Sequence, residues 1–411
     1  TRHRLHRRNR QDFAQVRQSV DYPRRLRGGA GGSRGGDGRA ADEVLATDIL
    51  PTADAFRYLE RCAEKLLHPQ QVAKSLRPLW LMGTRETVYR RPRGVVGIIG
   101  TWNFPVLLNA VPMVQALVAG NAVLWKPSEL APVSATLLHN LLLQAGFPPD
   151  LVALLPATRE AGPQLAEAAL DHVVFTGSEK VGRLLAVRLA ERLISSTLEL
   201  SGCDPLILLE DGDVALAAKA AWYGATLNKG QACLAVRRVF VPQTKYADFV
   251  EKLRPLALNA RAEPLLLPAQ ASQAERLVRE AVAQGGRTLT GEIPVAVVDE
   301  PARYPPTVVL DANIEMAICR EISFSPLMAV LPYANASENE IVRLVSAGPA
   351  ALTASIFTKD LAKAQRLGAQ LDIGSIVIND VIVPTAHPAL PFGGRHASGW
   401  GVTRGAEGLL E

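Results

Sequence analysis

From Thr47 onward the apolar positions fall into two alternating rhythms. Phe56, Leu59, Ala63, Leu66 and Leu67 share one stripe after Pro51, which predicts a helix there. Short apolar runs follow at Val95 to Ile99, Ala122 to Trp125, Leu151 to Leu155, His172 to Phe175 and Thr197 to Leu200. Helical stretches at Ala131 to Gln144 and Glu179 to Ile194 separate them, a rhythm that argues for parallel strands joined by right-handed crossovers. It returns in the runs Leu206 to Leu209, Val236 to Val241, Leu327 to Leu331, Thr353 to Phe357 and Ser375 to Ile378, with a helix at Val214 to Leu227. An α/β protein of two domains is predicted. The stretch from Pro255 to Arg303 is poorly patterned, and a surface helix is placed near Gln273 to Ala283.

Residues 1–45 break the pattern, being Arg-rich and then Gly-rich with few apolar positions. Such a segment cannot offset its ordering entropy and reads as a disordered tail, with an organelle transit peptide as the alternative. The tail also explains the net charge of +5, because residues 1–40 hold eleven Arg and three Asp and leave the remainder slightly acidic. No basic binding face is indicated, so no nucleic-acid partner is expected. With 48% apolar and 21% charged residues, the chain is neither collagenous, coiled-coil nor wholly disordered. Cys62, Cys203, Cys233 and Cys319 are far apart, which suits a reducing compartment and a cytoplasmic location. No metal is expected, since no histidine or cysteine cluster has ligand spacing. Residues 94–125 carry no charge, but Gly, Pro and Asn interrupt them, and they read as strand, loop, helix and strand with no integral membrane span.

Cys233, in Asn228-Lys229-Gly230-Gln231-Ala232-Cys233, is flanked by small residues that leave its thiol approachable; it is either a nucleophile or a buried structural cysteine. Glu199 lies inside an apolar strand and is either a general base with a raised pKa or half of a buried ion pair. Gly177 and Ser178 stand where a strand closes and a helix opens, a place for a phosphate or simply a turn. Lys126 and Glu129 follow another strand end and could hold ribose hydroxyls or form a solvated pair.

In combination and in this order, Gly94 to Pro105 (GVVGIIGTWNFP), Ala119 to Glu129, His172 to Arg183, Thr197 to Gly202, Asn228 to Cys233 and Pro391 to Gly401 resemble the aldehyde dehydrogenase superfamily, in its short fatty- and aromatic-aldehyde branch. The resemblance covers about residues 50–241 and 304–411. It implies a Rossmann-type NAD-binding domain, NADP being possible, over residues 46–201, an α/β catalytic domain over 202–378 and a C-terminal bridging segment over 379–411 that makes a homodimer. It further implies Cys233 as nucleophile, Glu199 as general base and Asn103 as oxyanion donor. Thr101, Trp102, Lys126, Ser128, Glu129, Thr176, Gly177, Ser178, Val181, Leu200 and Phe324 would line the coenzyme. The implied reaction is oxidation of an aldehyde to a carboxylic acid through a Cys233 thiohemiacetal and thioester. Trp222 and Tyr223, on the helix before the thiol, hint at an apolar entrance for long-chain or aromatic aldehydes.

The chain departs from the family at Glu321-Ile322-Ser323-Phe324-Ser325-Pro326, where the carboxylate that grips the nicotinamide ribose falls on Ile322. Lys229 replaces a small or apolar residue, and Cys203 a Lys or Asn. These departures motivate a rival reading, a homologue with weak coenzyme binding and impaired catalysis. An acylating relative that uses coenzyme A is a second rival, opposed by Glu199.

Overall fold

The computed structural model describes residues 39–299, 301–334 and 337–411, so the tail expected over residues 1–38 lies outside the described residues. Residues 39–45, assigned above to that tail, are folded instead. Ala41–Val44 is helical, a π-helical turn at Leu45–Ile49 continues it, and the helix Leu50–Leu67 follows directly. The cause is a buried ion pair, Arg39 Nη2 to Asp48 Oδ2 at 3.1 Å, with side chains 1% and 0% exposed. Arg39 is thus a core residue that its Arg-rich neighbourhood disguises.

The short antiparallel pair β1 (Gln70–Gln71) and β2 (Thr87–Val88) brackets an apolar segment in which Leu76, Leu79, Trp80 and Met82 are exposed. Strands β3 (Val95–Ile99), β4 (Ala122–Lys126), β5 (Val152–Leu154), β6 (His172–Gly177) and β7 (Ser195–Leu200) then build a parallel sheet. Apolar residues face both ways along them because helices cover both faces. Val96, Ile98, Val123 and Trp125 pack with Phe56 and Leu59 of the first long helix and with Met113 and Val114 of the helix Leu107–Val118. Burying side chains of this kind stabilises by about 1.5–3 kcal/mol each.

The second sheet contains β8 (Asp204–Leu208), β9 (Val236–Pro242), β11 (Arg287–Thr288), β13 (Thr307–Leu310), β14 (Leu327–Tyr333), β15 (Thr353–Phe357) and β16 (Ser375–Ile378) in the order β11-β13-β14-β9-β8-β15-β16. β10 (Glu263–Pro264) and β12 (Arg303–Tyr304) form a separate antiparallel pair. The helix expected near Gln273 spans Pro268–Ala283 and is less superficial than its charges suggest, since Ala271, Ala274, Leu277, Val278 and Ala281 are buried. The C-terminal stretch returns to the first sheet. β17 (Gly399–Trp400) pairs antiparallel with β7 and completes the order β17-β7-β6-β3-β4-β5, and Leu409 enters that sheet's core. Part of the segment expected to bridge subunits, residues 379–411, is therefore built into the first sheet, because the glycine-rich Phe392–Gly401 stretch can run against the edge strand.

Candidate active site

The helix Val214–Thr226 ends in a loop where Asn228 and Lys229 take left-handed φ angles of 47° and 59° before Gly230 at 71°. Backbone of this kind persists in residues other than glycine only when its surroundings over-determine it. Asn228 Nδ2 donates to the Asn103 carbonyl at 2.9 Å, and Gln231 Nε2 donates back to the Asn228 carbonyl at 3.1 Å. The buried Arg237 guanidinium donates to the carbonyls of Gly230 and Ser325. A Cβ on Gly230 would collide with that Ser325 carbonyl, so the close approach requires glycine. The loop delivers Cys233, 6% exposed, into a small cluster with Leu352 and Phe392, against which Leu234 and Phe324 pack.

Glu199 lies on β7 between Thr176 of β6 and Gly399 of β17, and is 3% exposed. The Cys233 thiol donates to Glu199 Oε1 at 3.6 Å, so nucleophile and base candidates are in direct contact. Burial pushes the Cys233 thiol well above its ordinary value, and the neighbouring Glu199 charge pushes it the same way. Burial also raises the Glu199 carboxyl, while the Arg404 charge and the thiol's hydrogen bond pull it back. At rest the pair therefore favours a neutral thiol facing the carboxyl group.

Arg404 is a charge the sequence reading missed. It is 8% exposed, donates through Nη1 to the Thr385 carbonyl at 2.7 Å and stacks 4.4 Å above the Phe392 ring. An Arg three residues beyond the last family motif reads from sequence as a surface cation, and only the fold brings it beside Glu199 and Cys233.

Asn103, 2% exposed, accepts from Thr101 Oγ1 at 2.9 Å and donates through Nδ2 to the Gln231 carbonyl at 3.1 Å. The hydroxyl occupies the amide oxygen, which leaves the NH2 on the Cys233 loop's side, with a second hydrogen for a developing oxyanion. Trp102 packs against Phe324 with ring centroids 6.0 Å apart. Through the Asn103–Gln231 bond and the Phe324 contacts these residues join Cys233 and Glu199 in one buried cluster, the candidate chamber.

The remaining candidates line the C-terminal edge of the first sheet, where open α/β sheets take ligands. Registers place Ile99 beside Lys126 and Phe175, and Gly177 beside Leu200. Thr176 and Leu200 are buried, and Leu200 packs against Gly182. Ser178 caps the helix Glu179–Glu191, its Oγ accepting from the Val181 N–H, and Val181 is exposed. The Phe175 ring fills the space a Cβ on Gly177 would need, so the turn requires glycine, and the helix N-terminus that follows is a place for an anion. Lys126 Nζ and Arg159 Nε reach Glu129 at 3.2 and 3.0 Å, and the Ser128 hydroxyl accepts from Leu130. Although partial burial opposes it, hydrogen bonds from its own backbone, Arg159 and Lys126 hold the Glu129 carboxyl below its ordinary value. An anion cradle, a hydrogen-bonding carboxylate and an apolar wall together fit a dinucleotide.

Glu321 does not join this edge. It pairs with Arg276 on the outer face of the helix Pro268–Ala283 and so does not stand in for a carboxylate at Ile322. The Lys229 charge acts on Glu43, whose carboxyl it pulls down against burial. Tyr223 is 40% exposed, whereas Trp222 packs partly buried into the second domain's core. A cavity of about 910 Å³ lined by Arg93, Gln115, His172 and Thr197 touches none of Cys233, Glu199 or Asn103. Among the described residues no cluster of three His, Cys, Asp or Glu could hold a metal, and no helix is long and apolar enough to cross a membrane.

A sequence model of the aldehyde dehydrogenase family matches residues 37–411. The chain is 35% identical over 381 residues to a 4,4'-diapolycopene aldehyde oxidase from Methylomonas sp, covering 91% of this chain and 70% of that protein. It is 33% identical over 384 residues to a betaine aldehyde dehydrogenase from Agrobacterium fabrum, covering 90% and 76%. Its fold superposes with TM-score 0.88 on a Mycobacterium tuberculosis aldehyde dehydrogenase complexed with NAD+, at 26% identity, covering 99% of this chain and 83% of that one. The NAD+ complex of a Bacillus cereus aldehyde dehydrogenase gives 0.86 at 27% identity, covering 99% and 82%.

Proposed function

Because the chain belongs to the aldehyde dehydrogenase family and is an NAD(P)-dependent oxidoreductase of aldehydes, we propose that it oxidises an apolar aldehyde to the carboxylic acid with Cys233 as nucleophile and Glu199 as general base. The observation that carries these roles is the 3.6 Å contact between the buried Cys233 Sγ and Glu199 Oε1. A neutral thiol is a poor nucleophile, and Glu199 is placed to take its proton as sulfur attacks the carbonyl carbon. The Asn103 NH2 and the Cys233 N–H stabilise the resulting oxyanion. An oxidised nicotinamide coenzyme held along the first sheet's edge would supply the two-electron acceptor for the hydride lost from that carbon as the thiohemiacetal becomes a thioester. Once that first proton has passed from Glu199 to solvent, the carboxylate takes a proton from water as it adds to the thioester and returns it to the leaving sulfur, so the acid departs as the thiol re-forms.

Lys126, Ser128 and Glu129 would hold the adenosine ribose, and Thr176, Gly177 and Ser178 the pyrophosphate. Thr101, Trp102, Val181, Leu200 and Phe324 would line the rest of the coenzyme. The ionised Glu129 repels a 2′-phosphate, which favours NAD over NADP. Phe104, Leu227, Ala232 and Ala235 cluster beside Asn103 with Leu107, Leu108 and Ile382, an apolar wall suited to a hydrocarbon or aromatic tail. The exposed apolar segment between β1 and β2 suits burial by a second copy in a homodimer, and four free thiols suit a reducing, cytoplasmic setting. The test is the near-ultraviolet absorbance of reduced coenzyme with NAD and then NADP across aliphatic and aromatic aldehydes. Cys233→Ala should abolish the signal while the protein stays folded; turnover retained by that variant rules out the assigned nucleophile.

A further inference from the structure

One short segment of the chain reaches both loops of the proposed chamber. Glu43 Oε1 accepts from the backbone N–H of Asn228, 185 residues away, at 3.0 Å. That N–H belongs to the first left-handed residue of the loop carrying Cys233. Five residues on from Glu43, the fully buried Asp48 accepts from the N–H groups of Leu107 at 2.6 Å and Val106 at 3.2 Å. These groups open the helix that directly follows Asn103, Phe104 and Pro105. Arg39 closes the arrangement, pairing with Asp48 and lying 5.2 Å above the Phe104 ring. Thr52 Oγ1 fixes the Asp48 carbonyl at 2.6 Å.

The two loops are also tied to each other, through Asn228 Nδ2 to the Asn103 carbonyl and Asn103 Nδ2 to the Gln231 carbonyl. Those bonds fix the loops' separation, and Arg237 and Leu266 anchor the nucleophile loop further on, at the Gly230 carbonyl and Gln231 Oε1. Residues 39–48 add the contact at the start of the nucleophile loop, at the Asn228 N–H, and at the helix that follows the oxyanion loop. Left-handed backbone at Asn228 and Lys229 would relax without such a hold. A displacement of about 1 Å at a nucleophile is enough to cost orders of magnitude in rate.

We propose that residues 39–48 are a clamp that sets the attack geometry of Cys233 against Asn103, with Glu43 as the positioning residue for the nucleophile loop and Asp48 for the oxyanion loop. The clamp rests on the reading of Cys233 as the nucleophile. Lys229, Arg39 and Glu263 also face Glu43, so its charge is part of a small surface-to-core network as well as a cap for Asn228.

Three variants test it in the full chain, Glu43→Ala, Glu43→Gln and Glu43→Asp, read by kcat, KM, coenzyme Kd, melting temperature and the rate at which iodoacetamide alkylates Cys233, followed by peptide mass spectrometry. Glu43→Ala should lower kcat and change the Cys233 alkylation rate by about tenfold or more, with coenzyme Kd and melting temperature near wild type. Glu43→Gln, whose amide oxygen still accepts the Asn228 N–H, should recover most of both. If the alanine variant does not fold, Glu43→Asp, which withdraws the acceptor by one methylene, must show the same selective loss. Alkylation and kcat within about twofold of wild type in the alanine and aspartate variants overturn the clamp, as does a glutamine variant as impaired as alanine. Wild-type protein with no Cys233-dependent turnover would instead sink the functional reading, and the alkylation rates would still judge the clamp.

Discussion

Cys233, Glu199 and Asn103 are 6%, 3% and 2% exposed, whereas across β7 the Glu129 side chain is 30% exposed and Val181 48%. The chamber is held by buried bonds from several elements, including the carbonyl contacts of Asn103, Asn228 and Arg237. The candidate coenzyme edge is held by strand register, by the part-buried Lys126–Glu129 pair and by the water-exposed Arg159–Glu129 pair, the last contributing about 0–1 kcal/mol. The difference separates two tasks. Chemistry needs atoms fixed to fractions of an ångström, while coenzyme binding spreads over many contacts and tolerates the loss of one.

The sharpest break in this comparison is Glu199→Gln. It keeps the shape of the chamber and removes its base, so kcat should fall by about 10²–10⁴-fold with coenzyme Kd unchanged. Equal losses in kcat and coenzyme affinity, by steady-state kinetics and fluorescence titration, would show that chamber and edge are not separable. The pH profile carries the same information. As a base Glu199 works ionised, and burial raises its pKa, so activity should fall as pH drops through a value above the ordinary carboxylate range.

Arg404→Gln sharpens that point with a smaller effect. The Arg404 charge favours the ionised form of Glu199, so its removal should move the acid limb of kcat/KM to higher pH and lower activity near neutrality by about tenfold or less. An acid limb that stays in place would make Arg404 a packing residue, held for its stack on Phe392 and its bond to the Thr385 carbonyl.

The most legible strands were the largely apolar runs, and Val95–Ile99 in the first sheet and Ser375–Ile378 in the second have the bounds expected of them. Resemblance singled out Cys233, Glu199 and Asn103 as a set, while the contact of the Cys233 thiol with Glu199 was not legible, since it joins residues 34 positions apart on different elements. What escaped were charges whose meaning depends on distant partners. Arg39 sits in an Arg-rich stretch and is 1% exposed only because Asp48 receives it. Arg404 looks like a surface residue until β17 folds back along β7. The helix Pro268–Ala283 was expected only from Gln273, although Pro268 is a normal first residue of a helix. Local pattern finds apolar elements, and it does not show which charges the fold will bury.

The mildest test concerns the coenzyme edge. Glu129 accepts from both Lys126 and Arg159, so Glu129→Gln should weaken its grip on the ribose hydroxyls without moving β4. A partly exposed contact of this kind should raise KM for NAD by about three- to tenfold and leave kcat unchanged. Losing the negative charge should also narrow the gap between NAD and NADP, because Lys126 and Arg159 then face a 2′-phosphate unopposed. Steady-state kinetics with both coenzymes at saturating aldehyde measures each effect. A fall in kcat with KM intact would mean that the edge, like the chamber, controls geometry, and the division between a rigid chemical side and a tolerant binding side would fail.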